Sequence, residues 1–176
     1  MERSMSLVFD LETDGLYNDV TTIHCLAIHD LDEAKTYTFN DQGNQEPVSR
    51  GVQMLMDADS IIGHNILGYD LPVLSKLYTW YRSPDVLVDT LLLSRLYHAD
   101  IMKLDQRRKW DQMPLQMYGR HSLEAYGYRL KCYKGQYGKT TDWSLWSQEM
   151  EDYCVQDVNV TTKLWHHFVP YLTGSR

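Results

Sequence analysis

The stretch that most limits how this chain can fold lies near its end. Met150, Cys154, Val158, Thr161, Trp165 and Phe168 recur at helical spacing, which predicts an amphipathic helix over roughly 145 to 168 with an apolar stripe to bury. On that helix Tyr153 and Asp157 stand four residues apart and project side by side along one face. A hydroxyl and a carboxylate one turn apart can orient a water and hold a metal. Two upstream stretches carry matching chemistry, Phe9-Asp10-Leu11-Glu12-Thr13 and His64-Asn65-Ile66-Leu67-Gly68-Tyr69-Asp70. Together the three supply four acids and one tyrosine, and the chain is expected to gather Asp10, Glu12, Asp70, Tyr153 and Asp157 around two divalent cations.

The rest of the pattern says how that gathering could occur. Ser6 to Glu12 is a short apolar run that ends in acids and meets the turn signal Thr13-Asp14-Gly15, so it reads as a strand with acids at its tail. Thr22 to Asp30 and Lys35 to Phe39, rich in β-branched and aromatic residues, predict a hairpin and a sheet that is at least partly antiparallel. A helix is expected from Glu46-Pro47 to about Asp57, a buried strand from Ser60 to His64, and a helix beginning at Asp70 and running to Trp80. Val86 to Val88 reads as a strand, and Asp89 caps a helix reaching Tyr97 or His98.

Arg107 to Arg120 has no steady period and is expected to form an excursion with little regular structure. Ser122 caps a helix through Leu130, and Lys131 to Trp143 reads as a mobile polar loop. Strands clustered early and helices interleaved later imply one α/β domain over 1–176, a mixed sheet of about five strands flanked by helices. The last residues, Thr173-Gly174-Ser175-Arg176, read as a frayed end or a cloning remnant.

Charge qualifies the choice of partner. The formal net charge is -7, which alone argues against a polyanion. Between Lys103 and Lys139, however, nine basic residues face three acids, so the remainder of the chain carries -13. A basic segment beside an acid-lined pocket suits an enzyme that grips a polyanion and uses metal to cancel the repulsion at the reacting phosphate. Three cysteines, Cys25, Cys132 and Cys154, are odd in number and lack Cys-x-x-Cys spacing, so neither a disulfide framework nor a zinc knuckle is expected. No apolar run reaches the roughly 18 residues of a membrane span, and the N-terminus leads straight into a strand, so the protein is expected to be soluble and cytoplasmic.

On a strand, Asp10 and Glu12 point to the same face, where two carboxylates repel unless a cation lies between them. Asp10, Glu12, Asp70 and Asp157 offer only hard oxygen ligands, which select Mg²⁺ or Mn²⁺ over zinc. Two such ions could clamp the attacking and leaving oxygens of a displacement at phosphorus, the chemistry of phosphodiester hydrolysis. His64 has no second histidine at metal spacing and is expected to be packed or hydrogen-bonded.

Asp10-x-Glu12, Asn65-x-x-x-Tyr69-Asp70 and Tyr153-x-x-x-Asp157 resemble the three motifs of the DnaQ-like 3′-to-5′ exonucleases, in their tyrosine-bearing (DEDDy) branch. The histidine branch would place His five residues before the last acid, where Asp152 stands. Further stretches, Asp89 to Leu96, Leu123 to Leu130 and Lys134-Gly135, are similar to the proofreading domains of the family A polymerases of short-tailed T-odd phages.

The resemblance implies a ribonuclease H-like fold and a metal-dependent 3′-to-5′ exonuclease that releases nucleoside 5′-monophosphates from single-stranded or frayed DNA ends. It implies that Asp10 bridges both ions, that Glu12 and Asp157 complete the first, and that Asp70 holds the second. Tyr153 with Glu12 would orient the attacking water, Thr13 and Leu16 would meet the terminal nucleotide, and Asn65 and Tyr69 would lie along the scissile region. Arg107 and Arg108, in the basic segment, are expected to bind the strand, and a polymerase or other replication protein could act beside the chain in trans. Two alternatives stay open: the same chemistry on RNA or short oligonucleotides, and a catalytically silent nucleic-acid-binding module.

Overall fold

Alternation along one strand decides what each face of the sheet carries. In the computed structural model, which describes residues 4–133 and 142–176, that strand is β1 (Ser6–Thr13). It is the middle strand of a five-stranded sheet ordered β3-β2-β1-β4-β5. β2 (Ile23–Asp30) and β3 (Lys35–Asn40) pair antiparallel on one side, and β4 (Ser60–Gly63) and β5 (Val86–Asp89) pair parallel on the other. The helices among the described residues are α1 (Val48–Met56), α2 (Leu71–Leu77), α3 (Thr90–Tyr97), α4 (Ile101–Arg108), α5 (Leu123–Arg129) and α6 (Gln148–Leu172).

Leu7, Phe9 and Leu11 of β1 point to one face, where Val48, Val52 and Leu55 of α1 and Val73 and Leu74 of α2 bury them. Val8, with Cys25, Ala27 and Ile62 of its neighbouring strands, points to the other and meets Met150, Cys154 and Val158, the stripe of α6 read from the sequence. Asp10 and Glu12 continue the even positions, so the pleat directs them towards α6. The far half of α6 packs Val160, Leu164 and Phe168 against Ile101 of α4 and Tyr126 of α5 in a third cluster. None of the described helices is long and apolar enough to cross a membrane.

The mixed five-stranded sheet is the expected one, and the strands fall where the sequence places them. Several helices differ. The chain after β4 first makes a π-helical turn over Ile66–Asp70, whose last residue, Asp70, is also the N-cap from which α2 begins, as expected; α2 stops at Leu77 instead of Trp80. Arg107 and Arg108 belong to no irregular excursion: they form the last turn of α4, whose Ile101 and Asp105 are buried. From Lys109 to Arg120 the chain is indeed mostly irregular, with a single 3-10 turn over Leu115–Met117. The stretch expected to be a polar loop, Lys131 to Trp143, lies outside the described residues over 134–141, as do Lys134, Gly135 and Lys139.

Candidate active site

Three strand ends meet on one side of the sheet. Asp10 and Glu12 stand at the carboxyl end of β1, β4 ends at Gly63 just before the π-helical turn that carries Asp70, and β5 ends at Asp89. Clefts at the carboxyl ends of parallel strands are where α/β sheets receive ligands.

The turn is built to hold its acid close. A Cβ on Gly63 would lie 2.2 Å from Ile66 Cγ2 and 3.2 Å from the Phe9 carbonyl oxygen, so only glycine lets the turn fold this tightly on β1. Asn65 takes a left-handed conformation (φ 59°), which asparagine tolerates better than most residues. Asp89 then pins the turn: Oδ1 accepts the Asn65 N–H at 2.9 Å, Oδ2 accepts that of Leu67 at 3.1 Å, and Oδ1 also caps α3 through the Leu91 N–H at 2.9 Å.

Asp10, Glu12, Asp70 and Asp157 converge. In all six of their pairings the negative charge of one acid raises the pKa of the other. Burial is the larger cause at each, and it pushes Asp10, Glu12 and Asp157 well above the usual carboxylate range and Asp70 up to about 8. Tyr153 joins them: burial, then the charges of Asp157, Glu12 and Asp10, drives its phenol above its ordinary value, so it stays protonated at neutral pH. Glu124, an exposed acid on α5, adds to the negative field at both Asp157 and Tyr153. Sequence reasoning counted Glu124 only as a charge within the basic segment and missed this placement.

A crowd of half-buried and buried carboxylates with no lysine or arginine among the groups that shift them calls for a cation. The donor set is all oxygen, which fits Mg²⁺ or Mn²⁺. One sulfur lies near: ligand atoms of Asp10, Glu12 and Cys154 fall within 4.8 Å of one another. Burial raises the Cys154 thiol well above its ordinary pKa, so it remains S–H and donates to the Asp10 carbonyl oxygen at 3.3 Å. Cys154 is therefore neither idle nor a thiolate ligand; it ties α6 to β1 beside the acids.

Next to the acids, Glu12, Thr13, Leu16, Tyr69 and Trp143 line a cavity of about 450 Å³. The Thr13 hydroxyl is 2.9 Å from the Gly15 carbonyl oxygen and 2.5 Å from the Tyr69 hydroxyl, which is itself 2.5 Å from Gly15 O, so two hydroxyl protons serve three contacts. That lock fixes the loop after β1 and leaves Leu16 77% exposed at the cavity. Trp143 was not predicted; its carbonyl oxygen is held 2.8 Å from His24 Nε2, and only the folded pairing of β2 with this segment reveals it. Asn65 is exposed at the start of the π-helical turn, outside this cavity. His64 engages Thr90 Oγ1 at 2.8 Å and the His121 carbonyl oxygen at 2.9 Å, the hydrogen-bonded role expected of it. Arg107 and Arg108 do not join the acids; both line a separate cavity against the far half of α6.

The RNase_H superfamily model matches residues 7–169 of the chain. The DNA-directed DNA polymerase of Escherichia phage T7 is 32% identical over 200 aligned residues, covering 93% of this chain and 27% of the polymerase. The chain thus spans about a quarter of the length of the curated relatives it matches. Among solved structures, Brucella melitensis NrnC superposes with a TM-score of 0.65 at 18% identity, covering 98% of this chain and 76% of NrnC, and it has also been solved with bound Mg²⁺ and bound to pGG. The Escherichia coli ExoI–ssDNA complex gives a TM-score of 0.60 at 16% identity, with 99% of this chain and 43% of ExoI covered. At these identities the two structures share the fold.

Proposed function

Because the chain belongs to the RNase H superfamily and resembles the DnaQ-like exonucleases, we propose that it is a metal-dependent 3′-to-5′ exonuclease of the DEDDy type, acting on single-stranded or frayed DNA. The observation that carries this reading is the convergence of Asp10, Glu12, Asp70 and Asp157, drawn from three distant segments onto one side of the sheet with Tyr153 beside them. These four acids would hold two Mg²⁺ or Mn²⁺ ions, with Asp10 shared between them; the ions would supply Lewis-acid activation of water and neutralise charge at the phosphate.

The chain's own residues provide the rest. Tyr153, kept protonated, donates or accepts a hydrogen bond and positions a water together with Glu12, and it does not serve as a base. Leu16 and Trp143 offer apolar surface against which a terminal base can pack without sequence preference. Thr13 and Tyr69 hold that wall in place. A single strand, whose terminal base is free to pack on that surface, suits the site, and the product would be a nucleoside 5′-monophosphate.

The test is digestion of single strands labelled at either end, with Mg²⁺, Mn²⁺ or chelator. Stepwise loss from the 3′ end, abolished by chelator and by Asp10→Ala or Asp157→Ala in folded protein, is the expected result. Digestion that survives either substitution at wild-type rate would remove the assignment, and folded protein inert with both metals would instead make the chain a binding module. A second reading has one observation in its favour: NrnC, which shares the fold, has been solved bound to pGG, so RNA or a short oligonucleotide is a rival substrate. Parallel digestion of DNA and RNA of matched sequence decides between them. A polymerase acting with this chain in trans would supply the mismatched ends that such an enzyme removes.

A further inference from the structure

A second cavity, of about 700 Å³, is lined by residues from the end of α3, α4, the end of α5 and the far half of α6. That volume lies within the range of small-ligand pockets. His167 on its wall follows Asp157 by ten residues of α6, which at 1.5 Å per residue puts it about 15 Å from the acids along the helix axis.

The lining is strongly basic. Arg107, Arg108, Arg129, Lys131 and Arg176 contribute, and the one acid among the described residues that line it, Asp100, sits 3.0 Å from Lys103. Arg129 gives the most direct sign of a ligand. Only 7% exposed, it grips Asp105 Oδ1 through Nε at 2.9 Å and Oδ2 through Nη2 at 2.7 Å. Asp105 is completed by the Trp110 Nε1–H and the Gly119 N–H, each at 2.8 Å, so its capacity is filled from within the fold. Arg129 Nη1, in contrast, is buried and has no acceptor. The guanidinium lies 4.8 Å from the centre of the Tyr126 ring, which gives Nη1 no oxygen acceptor, and an anion settling against that nitrogen would supply one.

Aromatic surface lies beside the charge. Tyr97, Trp110 and Tyr171 line the same cavity, and the Arg108 guanidinium stands 5.8 Å from the centre of the Trp110 ring. Cations interleaved with rings are what a nucleotide needs, the cations for its phosphate and the rings for its base.

We infer that this cavity is a second binding site, separate from the acids, for a phosphate ester carrying a base, with Arg108, Arg129 and Lys131 receiving the phosphate and Trp110 lying against the base. A free nucleoside monophosphate and a nucleotide within a strand present the same chemistry. The site requires no hydrolysis, so its test can succeed or fail whatever the acids do.

The experiment uses the full chain in chelator, so that no cation bridges a ligand to the acids. dAMP, inorganic phosphate, deoxyadenosine and a short oligo(dA) are titrated by calorimetry and by tryptophan fluorescence. Saturable binding of dAMP or oligo(dA), with deoxyadenosine much weaker, is expected. The double variant Arg108→Ala/Lys131→Ala should weaken that binding about tenfold or more, and Asp157→Ala should leave it unchanged. Arg108 and Lys131 are exposed, so their loss spares the buried Arg129–Asp105 pair. Equal affinity for dAMP and oligo(dA) assigns the site to a free nucleotide, and much tighter oligo(dA) binding assigns it to a strand. Absence of binding, indifference to the double variant, or loss in Asp157→Ala overturns the inference.

Discussion

The Cys154 thiol lies 3.3 Å from the carbonyl oxygen of Asp10 and 3.6 Å from its carboxylate, joining the middle of α6 to the acid-bearing end of β1. The contact is fully buried at the cysteine, within the cluster formed by Val8, Cys25, Ala27 and Met150.

Cys154→Ala removes a sulfur from a packed site and a donor from Asp10. A cost of about 1 to 2 kcal/mol in urea unfolding is expected, along with a several-fold fall in nuclease rate as Asp10 loses a restraint. An alanine variant as stable and as fast as the parent would reduce the contact to mere proximity.

Metal and pH should act on stability together. Asp70 is raised to about 8 in the folded chain, against about 4 when unfolded, so the folded state retains a proton that the unfolded state releases. Stability contributed by that protonated form is complete at low pH and is lost as pH rises towards the folded value. Below about pH 6.5 the effect is opposed by His64 and His98, whose pKa values are lowered to about 4 and which favour folding as pH rises. Above about pH 6.5 that opposition ends, and from there to about pH 8 Asp70 acts in the same direction as Asp10, Glu12 and Asp157, whose pKa values are also raised. In chelator the melting temperature should fall across that range, and Mg²⁺ should reverse the fall most at the alkaline end. Asp70→Asn should reduce both effects, the remainder belonging to Asp10, Glu12 and Asp157; an unchanged slope would mean that Asp70 is not among the groups responsible.

Asp89→Asn separates positioning from charge. The amide keeps one oxygen for the three N–H groups that Asp89 now serves, those of Asn65, Leu67 and Leu91. It also removes a charge that raises the Asp70 pKa. Loss of about 1 to 3 kcal/mol of stability is expected from the weakened turn. The acid limb of the rate profile should also move to lower pH, an effect that a purely structural role would not produce. Circular dichroism melts and a pH–rate series on the same preparation check both halves.

The sheet was legible because β1 to β5 each present an apolar or alternating run bounded by turn residues, and those patterns report local burial directly. The N-caps Asp89 and Ser122 were legible for a similar reason, since each bonds a backbone N–H within three residues. The π-helical turn was not, because what stabilises it is remote: Asp89 reaches back 24 residues to Asn65, and Gly63 leaves room against Phe9. α4 was missed because its buried face includes Asp105, a charge that breaks the apolar period and is buried only because Arg129 neutralises it. The motifs in the sequence named Asp10, Glu12, Asp70, Tyr153 and Asp157, and the fold brings them together. Glu124 and Trp143 carry no such mark, since one joins the acids through the packing of α5 on α6 and the other reaches its cavity through His24.

Tyr153→Phe gives the sharpest test of how the tyrosine works. Its phenol is pushed above its ordinary pKa by burial and by the neighbouring carboxylates, so at neutral pH the hydroxyl remains intact and can only bond or orient. Removing it should lower kcat by about ten- to a hundredfold, towards the lower range of what a positioned proton-bearing group contributes. KM for a single strand should change little, and Mg²⁺ affinity measured by calorimetry should stay within about twofold, because the four acids keep their places. Were the tyrosine a base, the parent's rate would keep rising with pH towards the raised pKa of the phenol, and the variant would lose that rise. The expectation here is that the profile keeps its shape and only its height falls. A variant that binds Mg²⁺ much more weakly would instead make Tyr153 part of the framework of the acids, and its role as an orienting group would have to be given up.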